Sequence, residues 1–351
     1  MQDARTLDGP SYAATGVDLD AANRAVERIK RIAASASRSE VLAGVGPFSA
    51  LFQLGRYRQP VLVSSTDGVG TKVLLARVLD RYGTVGQDLV NHCVNDILTS
   101  GAEPLFFLDY LAGSKLSEDT KVMLIEGMAQ ACREHGCALV GGETADMAGV
   151  YADGDFDIAG FIVGVVERDE VIDGSDIRPD DVLLGLPSNG LHTNGYSLVR
   201  AIWGIDVHRD PGAARTILAT EYSELGETLG DALLRVHPSY FAELRPALSL
   251  LAGIAHITGG GLLENVPRIL PEGITARFRV ETWPRPPLFD LIQRRGRISD
   301  PEMYRAFNMG LGLVVVVHPE DLIEVQRRLE RSIVVGTIAA RAPGTPSVVL
   351  Q

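Results

Sequence analysis

The sequence predicts a chain of two domains, each built from strands and helices in alternation. Three observations point there. The 351 residues exceed what one typical core holds. Strand–glycine–helix units recur at residues 60–72, 138–144, 182–197 and 256–265. The acidic stretch Glu167 to Asp181 divides the first two units from the last two, placing the domains at 1–168 and 169–351.

Composition narrows the classes of partner. Apolar residues make up 46% of the chain, enough for substantial cores. The 33 basic and 45 acidic residues leave a net charge of −12, which argues against nucleic acid or an anionic membrane as partner. A phosphorylated substrate stays open if metal ions, glycine amides and a few Lys or Arg meet its charge locally. Cys93, Cys132 and Cys137 form no C-x-x-C pair and read as reduced thiols. With no apolar run of membrane length and no signal-peptide pattern, the expected setting is soluble and cytoplasmic.

Residues 1–19 are polar, with Ser11-Tyr12 and Gly16-Val17-Asp18 as contact points. Asp20 is expected to cap a helix reaching about Ser37, with Val26, Ile29, Ile32 and Ala33 on its buried side. The turn Gly44-Val45-Gly46-Pro47 precedes the strand Pro60-Val61-Leu62-Val63, which runs into Ser65-Thr66-Asp67-Gly68-Val69-Gly70-Thr71-Lys72. Two glycines in three residues let the backbone present N–H groups to an anion. Asp67 suits a divalent cation, and Lys72 suits phosphate oxygens. The spacing fits neither a P-loop nor a dinucleotide fingerprint; alone, this is an ordinary turn.

The helix between Gly86 and Gly101 carries more information. At 100° per residue, Leu89, Val90, Cys93, Val94, Ile97 and Leu98 share one side. Asp88, Asn91, His92, Asn95 and Asp96 gather in an opposite arc of about 140°. A solvated face ordinarily carries Lys, Arg and Glu; these short carboxylates, amides and an imidazole suit metal and polar ligands. Strand 105–110 then places Asp109 near its end. A helix from Ser117 to Gly136 precedes the strand Ala138-Leu139-Val140 and a second glycine turn, Gly141-Gly142-Glu143-Thr144. Asp67, Asp96 and Glu143 together supply three hard oxygen ligands, as a Mg²⁺–triphosphate site requires.

Phe156 to Val166 is the last strand of the first domain. In the second, strand 182–186 leads into Ser188, Asn189, Gly190, His192, Asn194 and Gly195, small donors before a helix that suit an anion. Residues 205–224 read as an irregular excursion. The triplet Gly259, Gly260 and Gly261 implies close backbone approach to a ligand or to a neighbouring element. Residues 283–287 form a rigid turn, and 307–312 lead into the strand 313–317. A helix from Pro319 to about Arg331 and a strand from Ile333 to Ala339 close the chain.

Read together and in order, Thr66 to Lys72, Val94 to Ile97, Gly101 to Tyr110, Gly141 to Thr144, Gly190 to Ser197, His256 to Pro267 and Phe307 to Gly310 closely resemble the phosphoribosylformylglycinamidine cyclo-ligases. These are the aminoimidazole ribonucleotide synthetases of purine biosynthesis. Ser11-Tyr12 and Gly16-Val17-Asp18 extend the likeness, which covers essentially the whole chain. Departures occur at Ala145-Asp146-Met147-Ala148-Gly149, where Ala-Glu-Met-Pro-Gly is usual, and at His237-Pro238-Ser239-Tyr240, where Pro-Thr-Arg-Ile-Tyr is common. The missing arginine leaves one substrate contact open.

The resemblance implies a two-domain α+β fold, with the N-terminal sheets of a homodimer paired into a shared barrel and a C-terminal α/β domain covering a cleft. It implies ATP-dependent closure of formylglycinamidine ribonucleotide to aminoimidazole ribonucleotide, with Mg²⁺ and, as an open point, K⁺. On that basis Asp67, Asp96 and Glu143 are the expected Mg²⁺ ligands. Gly68, Gly70, Thr71, Lys72, Asn95 and Asp109 are expected to hold ATP. Ser188, Asn189, His192, Asn194 and Gly259 to Gly261 would serve the substrate, with His192, Lys72 and Asp96 catalytic. Selenophosphate synthetase fits less well, because it needs an early Cys or selenocysteine and the first cysteine here is Cys93. Thiamine-monophosphate kinase lacks this C-terminal motif set. A non-catalytic nucleotide-binding regulator on the same scaffold is disfavoured by the three carboxylates and Lys72.

Overall fold

A computed structural model describes residues 19–351, with side chains from Arg24 onward. Ser11-Tyr12 and Gly16-Val17-Asp18 lie outside the described residues. The first helix, α1, spans Leu19–Ser35, so Asp20 falls inside its first turn. Val26 is exposed, contrary to expectation; Ala25, Ala33 and Ala36 make the buried side, with Ile29 and Ile32 partly covered. The small residues let the helix lie close on its neighbours.

A short hairpin follows, β1 (Val41–Ala43) against β2 (Leu51–Phe52), with residues 44–50 at its tip. Next come β3 (Pro60–Gly68), α2 (Lys72–Leu79), α3 (Tyr82–Leu98), β4 (Glu103–Gly113), α4 (Glu118–Glu134), β5 (Ala138–Asp146) and β6 (Phe156–Glu167). The four long strands form a sheet in the order β3-β6-β4-β5. Only β4 and β5 pair in parallel, joined by the crossover helix α4; the other neighbours are antiparallel. Ser117 caps α4, its hydroxyl accepting from the Thr120 N–H at 3.0 Å.

Helices α3 and α4 cover one face of this sheet. The other face presents Leu62, Phe161 and Tyr110 to solvent, together with Phe48 of the hairpin tip.

The second sheet collects β7 (Val182–Pro187), β10 (Leu251–His256), β11 (Ile274–Phe278), β12 (Leu311–Val317), β13 (Ile333–Ala340) and β14 (Val348–Leu350) in the order β10-β12-β7-β13-β11-β14. All pairs are antiparallel except β11 with β14. Every residue of β12 is buried, which explains its unbroken run of aliphatic side chains. Between β7 and β10 come α5 (Tyr196–Trp203), α6 (Pro211–Leu218), the two-residue strands β8 (Glu221–Tyr222) and β9 (Glu227–Thr228), α7 (Leu229–Leu233) and α8 (Phe241–Leu244). The expected irregular excursion at 205–224 thus contains a helix, capped by the Asp210 carboxylate on the Ala213 N–H and started by Pro211. The remaining helices are α9 (Gly261–Asn265), α10 (Pro287–Gly296), α11 (Asp300–Ala306) and α12 (Leu322–Arg328), the last shorter than its pattern predicts. Among the described residues no helix is long and apolar enough to cross a membrane.

Two glycines set how closely α3 and α4 cross. A Cβ on Gly86 would fall 2.2 Å from the Leu124 carbonyl oxygen, and one on Gly127 would fall 2.1 Å from that of Gly83. Gly86→Ala and Gly127→Ala are each expected to destabilise the protein by about 1–3 kcal/mol through overpacking. Both force the same crossing apart, so the double variant should cost less than the sum of the singles. Urea-unfolding midpoints check this; an unchanged midpoint in either single variant contradicts it.

Candidate active site

Apart from Asp96, the polar face of α3 does not meet water. Asp88, Asn91, His92 and Asn95 are all buried, because the second domain lies over them. The segment from Arg235 to Tyr240 supplies most of the contacts. The Asp88 carboxylate accepts from the His237 N–H at 2.7 Å, and Asn91 donates to the His237 carbonyl at 2.8 Å. Asn95 accepts from the Tyr240 N–H at 2.9 Å and donates to the Pro238 carbonyl at 3.0 Å. Amides and carboxylates are short and two-sided, so they can bridge a backbone that Lys or Glu would hold at arm's length.

Lys72 belongs to this interface and not to an open phosphate cradle. The first residue of α2, it is fully buried, 2.7 Å from Asp88 Oδ2. It donates to the carbonyls of Arg235 at 2.8 Å and His192 at 3.1 Å, both across the domain boundary. Burial pushes Lys72 down and Asp88 up from their ordinary values, opposed by their mutual attraction. Gly68 and Thr71 are likewise engaged. The Gly68 N–H donates to Asp67 Oδ1 at 2.6 Å, and Thr71 Oγ1 sits 3.2 Å from Ser197 Oγ of the second domain. Gly70 turns the chain with φ 62°, and no side chain is needed there.

Beside this interface opens a cleft of about 370 Å³, lined from the first domain by Ser65, Asp67, His92 and Asp96 and from the second by His256, Thr258, Asn265 and Arg268. Asp67, late in β3, lies 2.9 Å from His92 Nε2. Asp96 accepts from Ser65 Oγ at 2.9 Å and meets His256 Nδ1 at 2.9 Å. Burial raises both carboxyls, but the His92 contact holds Asp67, and the His256 and His92 contacts hold Asp96, below the usual carboxylate range. Burial also opposes the charge on His92, yet the Asp67 hydrogen bond and the Asp96 and Asp67 charges raise it. The cleft is therefore anionic at its floor and cationic at Arg268.

Glu143 is not at this cleft. It stands in β5, a strand that continues through the expected turn, at the sheet edge opposite β3. With β6 and β4 between them, the edge strands are about 14 Å apart. Glu143 and Asp109 line a second cleft of about 560 Å³ beneath the hairpin tip 44–50. Within one chain the three expected carboxylates are thus split, Asp67 with Asp96 and Glu143 with Asp109. Burial, helped by the Glu143 charge and opposed by a backbone hydrogen bond, pushes the Asp109 carboxyl up to about 7.

The residues of the 188–195 loop, expected to serve the substrate, do not line this cleft. Ser188 donates to Asn308 Oδ1 at 2.8 Å, and Asn189 donates to the Val236 carbonyl at 2.8 Å, so both brace the loop. His192, at φ 62°, is buried and stacks on His237 with ring centroids 4.0 Å apart. Neither of its ring nitrogens has a hydrogen-bond partner, and burial drives it well below the ordinary imidazole value. Asn194 faces Gly259, where a Cβ would sit 3.1 Å from its Oδ1. Gly261 is a packing position: a Cβ there would be 2.0 Å from the Tyr304 carbonyl oxygen.

Sequence reasoning put His92 on the polar face and His256 inside a motif, but selected neither as a site residue; His237 stood out only as a departure, and Arg268 not at all. One signal was available: His256 ends a strand directly before Thr258 and the glycine triplet.

Comparison with known proteins follows the same division. Residues 50–166 match the family model "AIR synthase related protein, N-terminal domain", and residues 178–348 match "AIR synthase related protein, C-terminal domain". The chain is 49% identical over 344 residues to a phosphoribosylformylglycinamidine cyclo-ligase of Desulfitobacterium hafniense, covering 96% of this chain and 98% of that one. Among solved structures, thiamine-monophosphate kinase from Stenotrophomonas maltophilia K279a aligns with TM-score 0.66 at 19% identity, over 92% of this chain and 95% of its own. A hydrogenase maturation protein HypE in complex with ATP aligns with TM-score 0.63 at 17% identity, over 94% and 91%. The two structures share the fold.

The buried pair predicts a specific stability pattern. Lys72→Met or Asp88→Leu leaves an uncompensated group in the interface and should cost about 3–5 kcal/mol. The double variant Lys72→Met/Asp88→Leu removes both charges and should recover a large part of that loss. Guanidinium unfolding of the four proteins checks it; a double variant as unstable as the sum of the singles contradicts the pairing.

Proposed function

Because the chain belongs to the phosphoribosylformylglycinamidine cyclo-ligases, we propose that it closes the imidazole ring of formylglycinamidine ribonucleotide at the expense of ATP. The products are aminoimidazole ribonucleotide, ADP and phosphate. One observation carries the assignment of the site: the interdomain cleft sets the ionised Asp67 and Asp96 against Thr258, Asn265 and Arg268 of the second domain.

The formyl oxygen is a poor leaving group. Transfer of the ATP γ-phosphoryl to it gives ADP and an iminophosphate; the amidine nitrogen then attacks the activated carbon, and phosphate departs with that oxygen. Asp67, Asp96 and the Ser65 hydroxyl form a hard oxygen donor set suited to Mg²⁺, and His92 and His256 keep the carboxylates ionised. Mg²⁺ bound there would neutralise triphosphate charge. Arg268 is placed to meet substrate phosphate from the other wall. His192 is buried, and its proposed role as acid or base rests on its unpartnered ring nitrogens.

The assembly follows from the uncovered sheet face. Phe161 pairs with Thr66 of β3 and Leu108 of β4 across the ladders, so Phe161, Leu108 and Tyr110 share one outward sheet face with Leu62. A second copy laid on that face supplies the homodimer.

ADP release should require both formylglycinamidine ribonucleotide and Mg²⁺. Brisk ATP hydrolysis without that substrate would sink the assignment. Asp96→Asn should lower turnover by on the order of 10²-fold or more while the protein stays folded. His192→Asn should weaken substrate use but leave nucleotide binding by calorimetry close to the parent's. In sedimentation the parent is expected near twice 37.7 kDa, and Phe161→Asp should shift it to the monomer; a fully active monomeric parent argues against the shared face.

A further inference from the structure

The turn Phe307-Asn308-Met309-Gly310 carries one polar side chain, and it is buried: Asn308 is 3% exposed. Its Oδ1 accepts from the Gly310 N–H at 3.0 Å and from the Ser188 hydroxyl at 2.8 Å. Its Nδ2 donates to the Gly190 carbonyl at 2.9 Å. A backbone N–H can only donate and a carbonyl can only accept, so these partners fix both ends of the amide. The Ser188 N–H completes the joint by donating to the Gly310 carbonyl at 2.8 Å. Met309 sits at φ 51°, which a residue other than glycine keeps only when its surroundings impose it. Trp283 Nε1 holds the Met309 carbonyl at 3.0 Å.

The same segment also supports the glycine triplet. A Cβ on Gly195 would fall 2.1 Å from the Phe307 ring, so the end of the 188–195 loop lies against that ring. A Cβ on Gly261 would fall 2.0 Å from the Tyr304 carbonyl oxygen and 2.9 Å from that of Phe307. Asn194 joins the two loops directly, its Oδ1 being 3.1 Å from where a Cβ on Gly259 would lie. Within the triplet a second buried amide gathers the backbone. Asn265 Nδ2 donates to the Gly261 carbonyl at 2.9 Å and to that of Gly259 at 3.2 Å, and its Oδ1 accepts from the Thr258 hydroxyl at 3.3 Å. Thr258 and Asn265 line the interdomain cleft, whereas Asn308 does not reach it. Contacts therefore run without a break from Asn308, through the 188–195 loop and Phe307, to the cleft wall.

We infer that Asn308 is a positioning residue that locks the 188–195 loop to the 304–310 segment and so sets the glycine triplet, with Thr258 and Asn265, at the cleft. The reason is directional. Glycine-rich backbone has many conformations open to it, and a buried amide that must satisfy two donors and one acceptor selects among them. The consequence for catalysis rests on the proposed placement of substrate against Thr258, Asn265 and Arg268; the coupling of the loops does not.

The test compares the full-length parent with Asn308→Leu, which keeps a side chain of similar size and removes both hydrogen-bonding ends. Thr275→Val is the control, since it removes a buried hydroxyl contact to the Pro346 carbonyl elsewhere in the same domain. Backbone hydrogen exchange, read by mass spectrometry, reports the coupling without turnover. Asn308→Leu is expected to speed exchange about 10-fold or more in both 188–195 and 256–262, and Thr275→Val to leave both loops like the parent. Asn308→Leu should also raise KM for formylglycinamidine ribonucleotide about 10-fold or more. Binding of a non-hydrolysable ATP analogue with Mg²⁺, followed by calorimetry, should stay close to the parent's. Faster exchange confined to 188–190 and 308–310 overturns the coupling and leaves Asn308 a local brace. An equal rise of KM in Thr275→Val overturns the positioning role. Loosening of both loops with an unchanged KM upholds the coupling and overturns the placement of substrate on that wall. Should Asn308→Leu fail to fold, Ser188→Ala and Gly259→Ala probe the same joint from its two far ends. Their combined loss in kcat/KM is expected to fall short of the product of the single losses, and a full product overturns the coupling.

Discussion

The molecule depends on the burial of one polar helical stripe. Asp88, Asn91, His92, Asn95 and Asp96 lie on α3 in the first domain, and the second domain is built to answer them. A buried amide or carboxylate without a partner costs about 1–3 kcal/mol, and a charged one more. Each therefore demands a donor or acceptor at a fixed place. The backbone of His237, Pro238 and Tyr240 supplies four, His256 supplies another, and Lys72 neutralises Asp88 while holding the His192 and Arg235 carbonyls. Apolar packing gives adhesion in many registers, but this set of directional contacts is satisfied in one. Such specificity explains why residues that look like ligand binders serve here as a hinge plate between sheets.

The site follows from that interface. Asp67 and Asp96 come from β3 and α3, while His256, Thr258 and Arg268 come from β10 and the segment after it. The pairing of α3 with the 235–240 segment therefore sets the distance between the two walls of the cleft. Departure from the common family pattern falls on that same segment. His237 adds an imidazole that reaches His256 and stacks on His192, turning a backbone contact into a cluster of rings. Burial keeps His192, His237 and His256 below the ordinary imidazole value, so they enter the cluster as neutral donors and acceptors.

Much of the fold was legible. Period-two and period-3.6 patterns placed the long strands and helices, and glycine or proline marked most ends. The misses share a cause: local pattern was read without knowing what lay against it. Val26 fits a buried stripe but faces solvent, because alanines suffice where α1 lies close. The 141–144 glycines read as a turn, yet β5 runs straight through them beside β4. Gly142 is required there by a neighbour, since a Cβ would meet Asp109 Oδ1 at 2.2 Å.

The sequence by itself determined the chemistry on offer: an α+β pair of domains, a helix with one apolar and one polar face, and carboxylates beside glycine-rich turns in the order of the cyclo-ligases. Those features are local in the chain, and residue type and spacing express them directly. Only the tertiary structure decided which groups share a site. It sent Lys72 and Asp88 into the interface, kept Asp67 beside Asp96, carried Glu143 to the far edge of the sheet, and brought four histidines from distant segments together. Strand order and domain docking settle such distances, and both depend on contacts between residues more than a hundred positions apart, such as Lys72 with Arg235 and Asp96 with His256.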